Sequence, residues 1–186
     1  FMPTNKVLHH EKGAIHSFDS ALGTHGFLSC MLSAASSLFW LNQNVFETRD
    51  FEGEQAKIEK TLLGHNNVFF LPYLTGERSP IGDPNAKGCF VGITSETGRA
   101  ELTLAVLEGV SFAMRDSLDE VRAMGIEISE SALTGGGSKS PLWANILASI
   151  LNVKLKVVSS RFGPSYGMAL LAMVKDGIYK DYEEAK

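Results

Sequence analysis

The sequence predicts an α/β domain in which helices pack on a sheet that is at least partly parallel. Strand-like and helical segments alternate along the chain, and the clearest helix, Leu142 to Leu151, is followed at once by the alternating segment VKLKVVS. Apolar pairs four residues apart give that helix one hydrophobic side. The alternation of VKLKVVS is typical of a half-exposed strand. The 186 residues, 44% of them hydrophobic, suffice for one sizeable core, so we expect one domain over residues 1–186.

The amino-terminal half predicts two strands, one helix and a long loop. Residues 15–22 alternate enough for a strand, and apolar residues then recur at helical spacing from Phe27 to Leu38. The run VFFLPYL, residues 68–74, predicts a buried strand that Pro72 interrupts or ends. Residues 75–92 show no period. A loop of that length is usually functional or an interaction surface, although an ordered surface loop fits equally well.

The carboxy-terminal half predicts two further helices. Residues 99–124 carry a long apolar stripe and Gly125 is placed to end it. Residues 166–174 form a last apolar helix, which Gly177 closes.

A glycine-rich turn, SALTGGGSKSPLW at residues 131–143, joins a strand-like run to the helix that begins near Pro141. Its glycines can adopt positive φ and let the backbone lie against a flat or anionic ligand. Ser140 and Pro141 suit the N-cap and first helical positions, which place the positive end of the helix dipole beside the glycines. The turn therefore predicts a pocket for a phosphate or a purine. An ordinary strand-to-helix turn remains the alternative. The glycines are Gly135, Gly136 and Gly137.

Three better-known motifs do not fit. A phosphate-binding GxxxxGK[ST] loop requires glycine directly before the lysine, whereas Lys139 follows Ser138. A dinucleotide fingerprint requires its third glycine where this chain has Ser140. Residues 163–167 match the GxSxG of serine hydrolases, but that chemistry needs a later histidine, and all five histidines precede Ser165.

Composition excludes several classes of partner. A net charge of −4 leaves no basic face for nucleic acid. No apolar stretch approaches the roughly 18 residues that span a bilayer, and there is no signal-peptide pattern, so we expect a cytoplasmic protein without a membrane partner. Cys30 and Cys89 have no metal-ligand spacing with each other or with the histidines. The acidic side chains predict no catalytic pair, because they lie on separate elements.

Residues 88–108 resemble the second signature of the FGGY carbohydrate kinases. That signature combines small, apolar and acidic residues, with a gap of seven or eight between its two parts. Here it is satisfied by Gly88, Phe90, Gly92, Ile93, Glu101, Leu102, Ala105, Val106, Leu107 and Glu108. The segments FLPYLTGERSPIGDPNAKG, ALTGGGSKSPLW, GPSYGMALLA and MLSAASSLFWL are also similar to the family, most of all to its xylulose-phosphorylating branch.

The resemblance implies the C-terminal domain of a two-domain kinase that closes around MgATP and a sugar. Its core would be ribonuclease H-like, of the actin and hexokinase type, with a mixed sheet flanked by helices. We expect ATP and Mg²⁺ as cofactors and D-xylulose as substrate, with gluconate, ribulose and glycerol as alternatives. The catalytic aspartate and most sugar contacts belong to earlier sequence in this family, so we expect the chain alone to be inactive.

The resemblance also implies a nucleotide site on the glycine turn, in which an amide farther along the turn or helix would meet the base. A non-catalytic nucleotide-binding module of the same superfamily is the alternative function. Exposed strand edges make a homodimer plausible as well. The expected cofactor-binding residues are Gly135, Gly136, Gly137, Ser138, Ser140 and Asn145.

Overall fold

The computed structural model describes residues 1–4, 6–7, 9–11, 13–20, 23–158 and 163–185. Strands and helices alternate over residues 99–175, as the sequence predicts, whereas three consecutive strands precede the first helix. The strands are β1 (Met2–Thr4), β2 (His16–Asp19), β3 (His25–Leu28), β4 (Phe69–Leu71), β5 (Cys89–Val91), β6 (Glu130–Leu133) and β7 (Lys154–Val157). The helices are α1 (Ala35–Trp40), which continues as a π-helical stretch (Leu41–Val45), α2 (Phe51–Ala56), α3 (Arg99–Ala123), α4 (Pro141–Leu151), α5 (Gly163–Lys175) and α6 (Tyr182–Ala185).

Antiparallel and parallel pairing both occur among the described strands. Strand β3 lies between β1 and β2 and is antiparallel to each, and β4 and β5 form a separate antiparallel pair. Strands β6 and β7 are parallel, with Glu130 opposite Lys154 and Leu133 opposite Val157, and α4 connects them. The glycine turn thus lies between a parallel strand and the helix that follows it, as in other strand–helix–strand units.

Helix α3 passes through the centre of the core. Four of its side chains, Leu104, Val106, Leu107 and Val110, have almost no exposed surface. The last three of these belong to a cluster that also contains side chains from α1, β4 and α4, including Leu38, Phe70, Trp143 and Leu147. Burial of apolar side chains on several elements around one helix is the main source of stability for such a layer.

One glycine allows β4 to lie directly against α3. A Cβ atom added at Gly109 would lie 2.1 Å from the carbonyl oxygen of Phe70, far inside contact distance. Only a residue without a side chain permits this approach of two backbones. Gly109 therefore sets the distance between α3 and β4, the strand that precedes the long loop.

We expect Gly109→Ala to lower the free energy of unfolding by at least about 2 kcal/mol, because either the helix or the strand must move. The matched control is Gly167→Ala in α5, where a Cβ would meet nothing within 4 Å. That change should be neutral or stabilise by about 0.5 kcal/mol, since alanine favours a helix over glycine. Urea unfolding of the two variants measures both effects. Equal losses would contradict the close approach at Gly109.

Two arginines of α3 attach the end of α4 to the central helix. Arg115 Nη1 donates to the carbonyl oxygen of Ile150 at 2.8 Å, and Arg122 Nη2 donates to that of Leu151 at 3.1 Å. Asp119 lies between them and accepts hydrogen bonds from both guanidinium groups. The hydrogen bonds from Arg115, and next those from Arg122, hold the pKa of Asp119 below its ordinary value.

Asp119→Asn should therefore destabilise the chain in a pH-dependent way. A carboxyl whose pKa is lower in the folded chain stabilises it above the unfolded pKa of about 3.9, and this contribution disappears as the pH falls through the folded value. Because Asp119 is half exposed, we expect a loss of only about 0.5–1 kcal/mol at pH 7. Asp176→Asn is a control at an exposed carboxylate. Unfolding midpoints at pH 7 and pH 3 test the difference, and a pH-independent loss would refute it.

The structure confirms most of the predicted elements and corrects two, the helix predicted from Phe27 and the loop predicted over residues 75–92, whose end forms β5 and pairs with β4. Helices α3 and α4, the end of β4 before Pro72, and the closure of α5 ahead of Gly177 agree with the sequence. The helix predicted from Phe27 is wrong, because Phe27 lies in β3 and a helix begins only at Ala35. The central position of β3 between two partner strands outweighs the helical spacing of its apolar residues. The ends of two predicted strands, residues 21–22 and 159, lie outside the described residues.

Candidate functional site

The glycine turn begins with a backbone conformation that requires glycine. Gly135 has φ 91° and ψ −173°, a region that residues with a side chain essentially never adopt. A short 3₁₀ turn, Gly136–Lys139, follows. Ser140 then caps α4, since its Oγ accepts a hydrogen bond from the backbone N–H of Trp143 at 3.1 Å, and Pro141 takes the first helical position. Both cap positions predicted from the sequence are confirmed.

This turn forms one wall of a cleft of about 490 Å³. The opposite wall comes from α1 and from the segment that leads into α2. The turn and α4 contribute Gly136, Gly137, Lys139, Ser140 and Trp143. The opposite wall contributes Ala35, Leu38, Phe39, Arg49, Asp50, Phe51, Glu52 and Gln55.

Apolar and aromatic side chains dominate the interior of the cleft. The rings of Phe39 and Phe51 stack with their centroids 6.1 Å apart and their planes 23° apart. Trp143 is only 4% exposed, and its indole N–H donates to the carbonyl oxygen of Leu107 in α3. A Cβ at Gly137 would lie 3.2 Å from that indole ring, so the turn packs directly on it. Such a cleft suits a flat, largely apolar ring.

Two exposed cations and two exposed carboxylates lie at the rim of the same cleft. Arg49 and Lys139 both line it and both are exposed. In the described part of the chain neither forms an ion pair, whereas Lys57 and Arg99 nearby are both held by Glu54. Cations without a partner beside the positive end of α4 favour an anionic group on the ligand.

The structure brings only some of the predicted site residues to this cleft. Gly136, Gly137 and Ser140 line it, and Gly135 shapes the turn that leads to them. The hydroxyl of Ser138 instead donates within the turn, to the carbonyl oxygen of Gly135 at 2.7 Å. Asn145 is exposed on α4 and is not among the residues that line the cleft.

Sequence reasoning missed the opposite wall. The segment MLSAASSLFWL is similar to a helix of the kinase family, but nothing in it indicated that Phe39 faces the glycine turn. Helix α2 has only six residues, too few to show an apolar period. Its place opposite the turn depends on contacts between residues far apart in sequence, such as Gln55 and Ser140.

The groups with raised pKa values lie elsewhere. Burial raises the pKa of Glu108 and that of Asp116, to which the neighbouring Asp119 adds. Burial also raises the pKa of Tyr73, with smaller contributions from Asp116 and Glu77. Glu108, Asp116 and Tyr73 line a smaller cavity of about 150 Å³ between β4 and α3. They therefore provide no proton-transfer group for the glycine cleft.

The described residues contain neither a metal-ligand cluster nor a membrane-spanning helix. No group of three or more His, Cys, Asp or Glu side chains lies close enough there to hold a metal ion. No helix in the same residues is long and apolar enough to cross a bilayer. Cys30 and Cys89 are both free thiols.

The fold and the cleft define the class of this chain as an α/β domain with a cleft at a glycine-rich strand–helix junction. Residues 2–175 match the C-terminal domain of the FGGY family of carbohydrate kinases, so the chain belongs to that family. The resemblance inferred from the sequence is thereby confirmed.

Individual relatives support the same assignment. The xylulose kinase of Escherichia coli strain K12 is 39% identical over 176 residues, which cover 94% of this chain and 36% of that protein. The structure of ligand-bound xylulose kinase from Lactobacillus acidophilus is 27% identical with a TM-score of 0.83, over 98% of this chain and 37% of that one. A gluconate kinase from the same organism is 28% identical with a TM-score of 0.82, over equal shares. The α/β fold of actin- and hexokinase-type kinases is confirmed by these neighbours.

The chain spans little more than a third of the length of these relatives. The comparisons therefore identify this chain as a C-terminal domain of the carbohydrate kinase family, and they do not extend to the rest of such a kinase.

Alanine substitutions in the glycine turn should separate backbone strain from open space. Gly135→Ala should lower the free energy of unfolding by about 1–3 kcal/mol, because alanine does not adopt this conformation without strain. Gly136→Ala should change it by no more than about 0.5 kcal/mol, because a Cβ there meets nothing within 4 Å and φ is not positive. Urea unfolding of both variants provides the test. A Gly136→Ala loss as large as that of Gly135→Ala would mean that the turn is constrained differently.

Proposed function

We propose that residues 1–186 form the nucleotide-binding C-terminal domain of a kinase that transfers the γ-phosphoryl group of ATP to a sugar. The sugar is D-xylulose and the product is D-xylulose 5-phosphate. The observation that carries the proposal is the cleft between the glycine turn and α1–α2, in a chain whose residues 2–175 match the carbohydrate kinase domain.

The residues of the cleft suit ATP as a ligand. The adenine ring would occupy the apolar interior, where Gly136 and Gly137 offer backbone on one side and Phe39 an aromatic ring on the other. The amino-terminal end of α4 and the two rim cations, Arg49 and Lys139, would attract the ribose-phosphate part. Gly135 would act indirectly, by fixing the turn.

The predicted contacts of Ser138, Ser140 and Asn145 with the nucleotide are not equally supported. The hydroxyl of Ser140 already uses its proton and one lone pair within the protein, so it would shape the rim rather than donate to the ligand. The hydroxyl of Ser138 donates within the turn. The role of Asn145 as an amide for the base stays a prediction, without a contact in the described residues to support it.

The complete enzyme would divide the chemistry between this chain and other sequence. When bound, Mg²⁺ neutralises charge on the transferring phosphoryl group. We assign no residue of this chain to the metal, and we assign the base that deprotonates the sugar hydroxyl to another part of the protein. What this chain contributes is the binding and orientation of the nucleotide.

D-Xylulose is favoured because relatives named xylulose kinase match nearly the whole chain. Gluconate and glycerol are the competing substrates, because relatives of similar fold or identity carry those names. A nucleotide-binding module without catalysis is the alternative from another class. Homodimerisation and a cytoplasmic location stay predictions.

We expect the complete protein that the gene encodes to release ADP in the presence of D-xylulose, and the 186-residue chain alone to release none. L-Ribulose, D-gluconate and glycerol are tested beside D-xylulose. The physical reason is that phosphoryl transfer requires the nucleotide and the sugar hydroxyl to be held together by both parts of a closed active site. Release of ADP with another polyol would support a carbohydrate kinase but would show that D-xylulose is not its substrate. Turnover by the 186-residue chain alone would refute the assignment of the base to other sequence.

A further inference from the structure

The side-chain amide of Gln55 connects the two walls of the cleft. The hydroxyl of Ser140 donates to Gln55 Oε1 at 2.5 Å, and Gln55 Nε2 donates to the carbonyl oxygen of Phe51 at 3.0 Å. Ser140 Oγ also accepts from the backbone N–H of Trp143. In the part of the chain that the structure describes, the bond between Ser140 and Gln55 is the only hydrogen bond that joins α1–α2 to the glycine turn.

Both ends of this connection are attached to the central helix. Glu54, next to Gln55, is buried and its Oε1 accepts hydrogen bonds from Arg99 at the start of α3 and from Lys57. On the other side, Trp143 donates its indole N–H to the carbonyl oxygen of Leu107. The bond between Gln55 and Ser140 therefore closes a ring of contacts that runs through α3 and around the cleft.

The chemistry of the contact explains why a glutamine suits this place. Ser140 uses a lone pair for the N–H of Trp143, so its proton needs an acceptor elsewhere, and the amide oxygen of Gln55 provides one. The amide nitrogen, meanwhile, needs an acceptor within α2, which Phe51 supplies. An ionised glutamate could accept from Ser140 but could not donate to Phe51, and an alanine could do neither.

We propose that Gln55 is a positioning residue for the nucleotide, one that fixes the width of the cleft by holding Ser140 and hence Gly136 and Gly137 against α2. This inference rests on the proposed function, because it names the device that fits that cleft to a purine base. Gln55 acts through Ser140 and the turn, and the contact sets how well a ring of purine size is distinguished from a smaller one.

The test uses steady-state kinetics of the complete protein with Gln55→Ala. We expect the KM for ATP to rise about three- to tenfold, which is the worth of one neutral hydrogen bond. The kcat and the KM for the sugar should stay within about twofold, because the phosphoryl and sugar contacts lie elsewhere. The ratio of kcat/KM for ATP to that for CTP should fall as well, since a loosened cleft discriminates less by shape.

Two further variants identify the cause. Gln55→Glu keeps the acceptor for Ser140 and should recover most of the ATP affinity that Gln55→Ala loses. Gln43→Ala is the matched control, because Gln43 lies in the π-helical stretch after α1 and does not line the cleft. It should leave the KM for ATP and the ATP-to-CTP ratio unchanged. Thermal midpoints of all variants report any loss of folding.

A double-mutant cycle with Ser140→Ala decides whether Gln55 acts through Ser140. If it does, Gln55→Ala should add little to the KM for ATP once Ser140 is alanine. Additive effects of the two substitutions on the KM for ATP would overturn the inference. So would a Gln55→Ala variant with the same KM for ATP as Gln43→Ala, or one in which every kinetic constant and the thermal midpoint change together. If the wild-type protein shows no turnover that saturates with ATP, the proposed function itself is refuted.

Discussion

The attachment of α2 and of both ends of α4 to α3 is the constraint on which the rest of the structure depends. Trp143 connects α4 to α3 through its indole N–H, and a second hydrogen bond from the same N–H reaches Ser111 Oγ at 3.3 Å. Arg115 and Arg122 hold the far end of α4, and Arg99 holds α2 through Glu54. A cleft between short elements keeps a defined shape only if each element is fixed to something rigid, and a 25-residue helix with one side in the core provides that.

The polar contacts of this frame differ in what they contribute to stability. Glu54 is buried with two cationic partners, although its Oε2 has no hydrogen-bond partner among the described residues. Taking a carboxylate out of water is costly, so this ion pair adds little net stability, but removal of Arg99 would leave a buried charge with only one partner. Its value is geometric, because it sets where α2 lies. The apolar cluster around Leu107 and Val110 supplies the stability itself.

The sequence predicted those parts of the fold whose signal is local. Helix α4 shows its apolar period and its Ser140–Pro141 cap within a few residues, and α3 shows its stripe over many turns. The helix predicted from Phe27 was wrong, because the neighbours that make β3 a central strand come from β1 and β2. For the same reason the sequence did not indicate the α1–α2 wall of the cleft. Gln55 and Ser140 are 85 positions apart, and no local pattern indicates that they meet.

In the proposed function, the cleft makes only a limited contribution to catalysis. An adenine ring bound between Phe39 and the glycine turn would be separated from the γ-phosphoryl group by the ribose and two phosphates, and we expect it to be held equally before and during transfer. Interactions that are equal in the ground state and the transition state change KM and leave kcat unaltered, unless they also orient the reacting atoms. The ring of contacts through α3 would therefore act on the affinity for ATP, and we expect kcat to change little when the ring is opened at Gln55. We therefore expect rigidity between α2 and the glycine turn, rather than the strength of any one contact with the base, to set how tightly this domain binds the nucleotide.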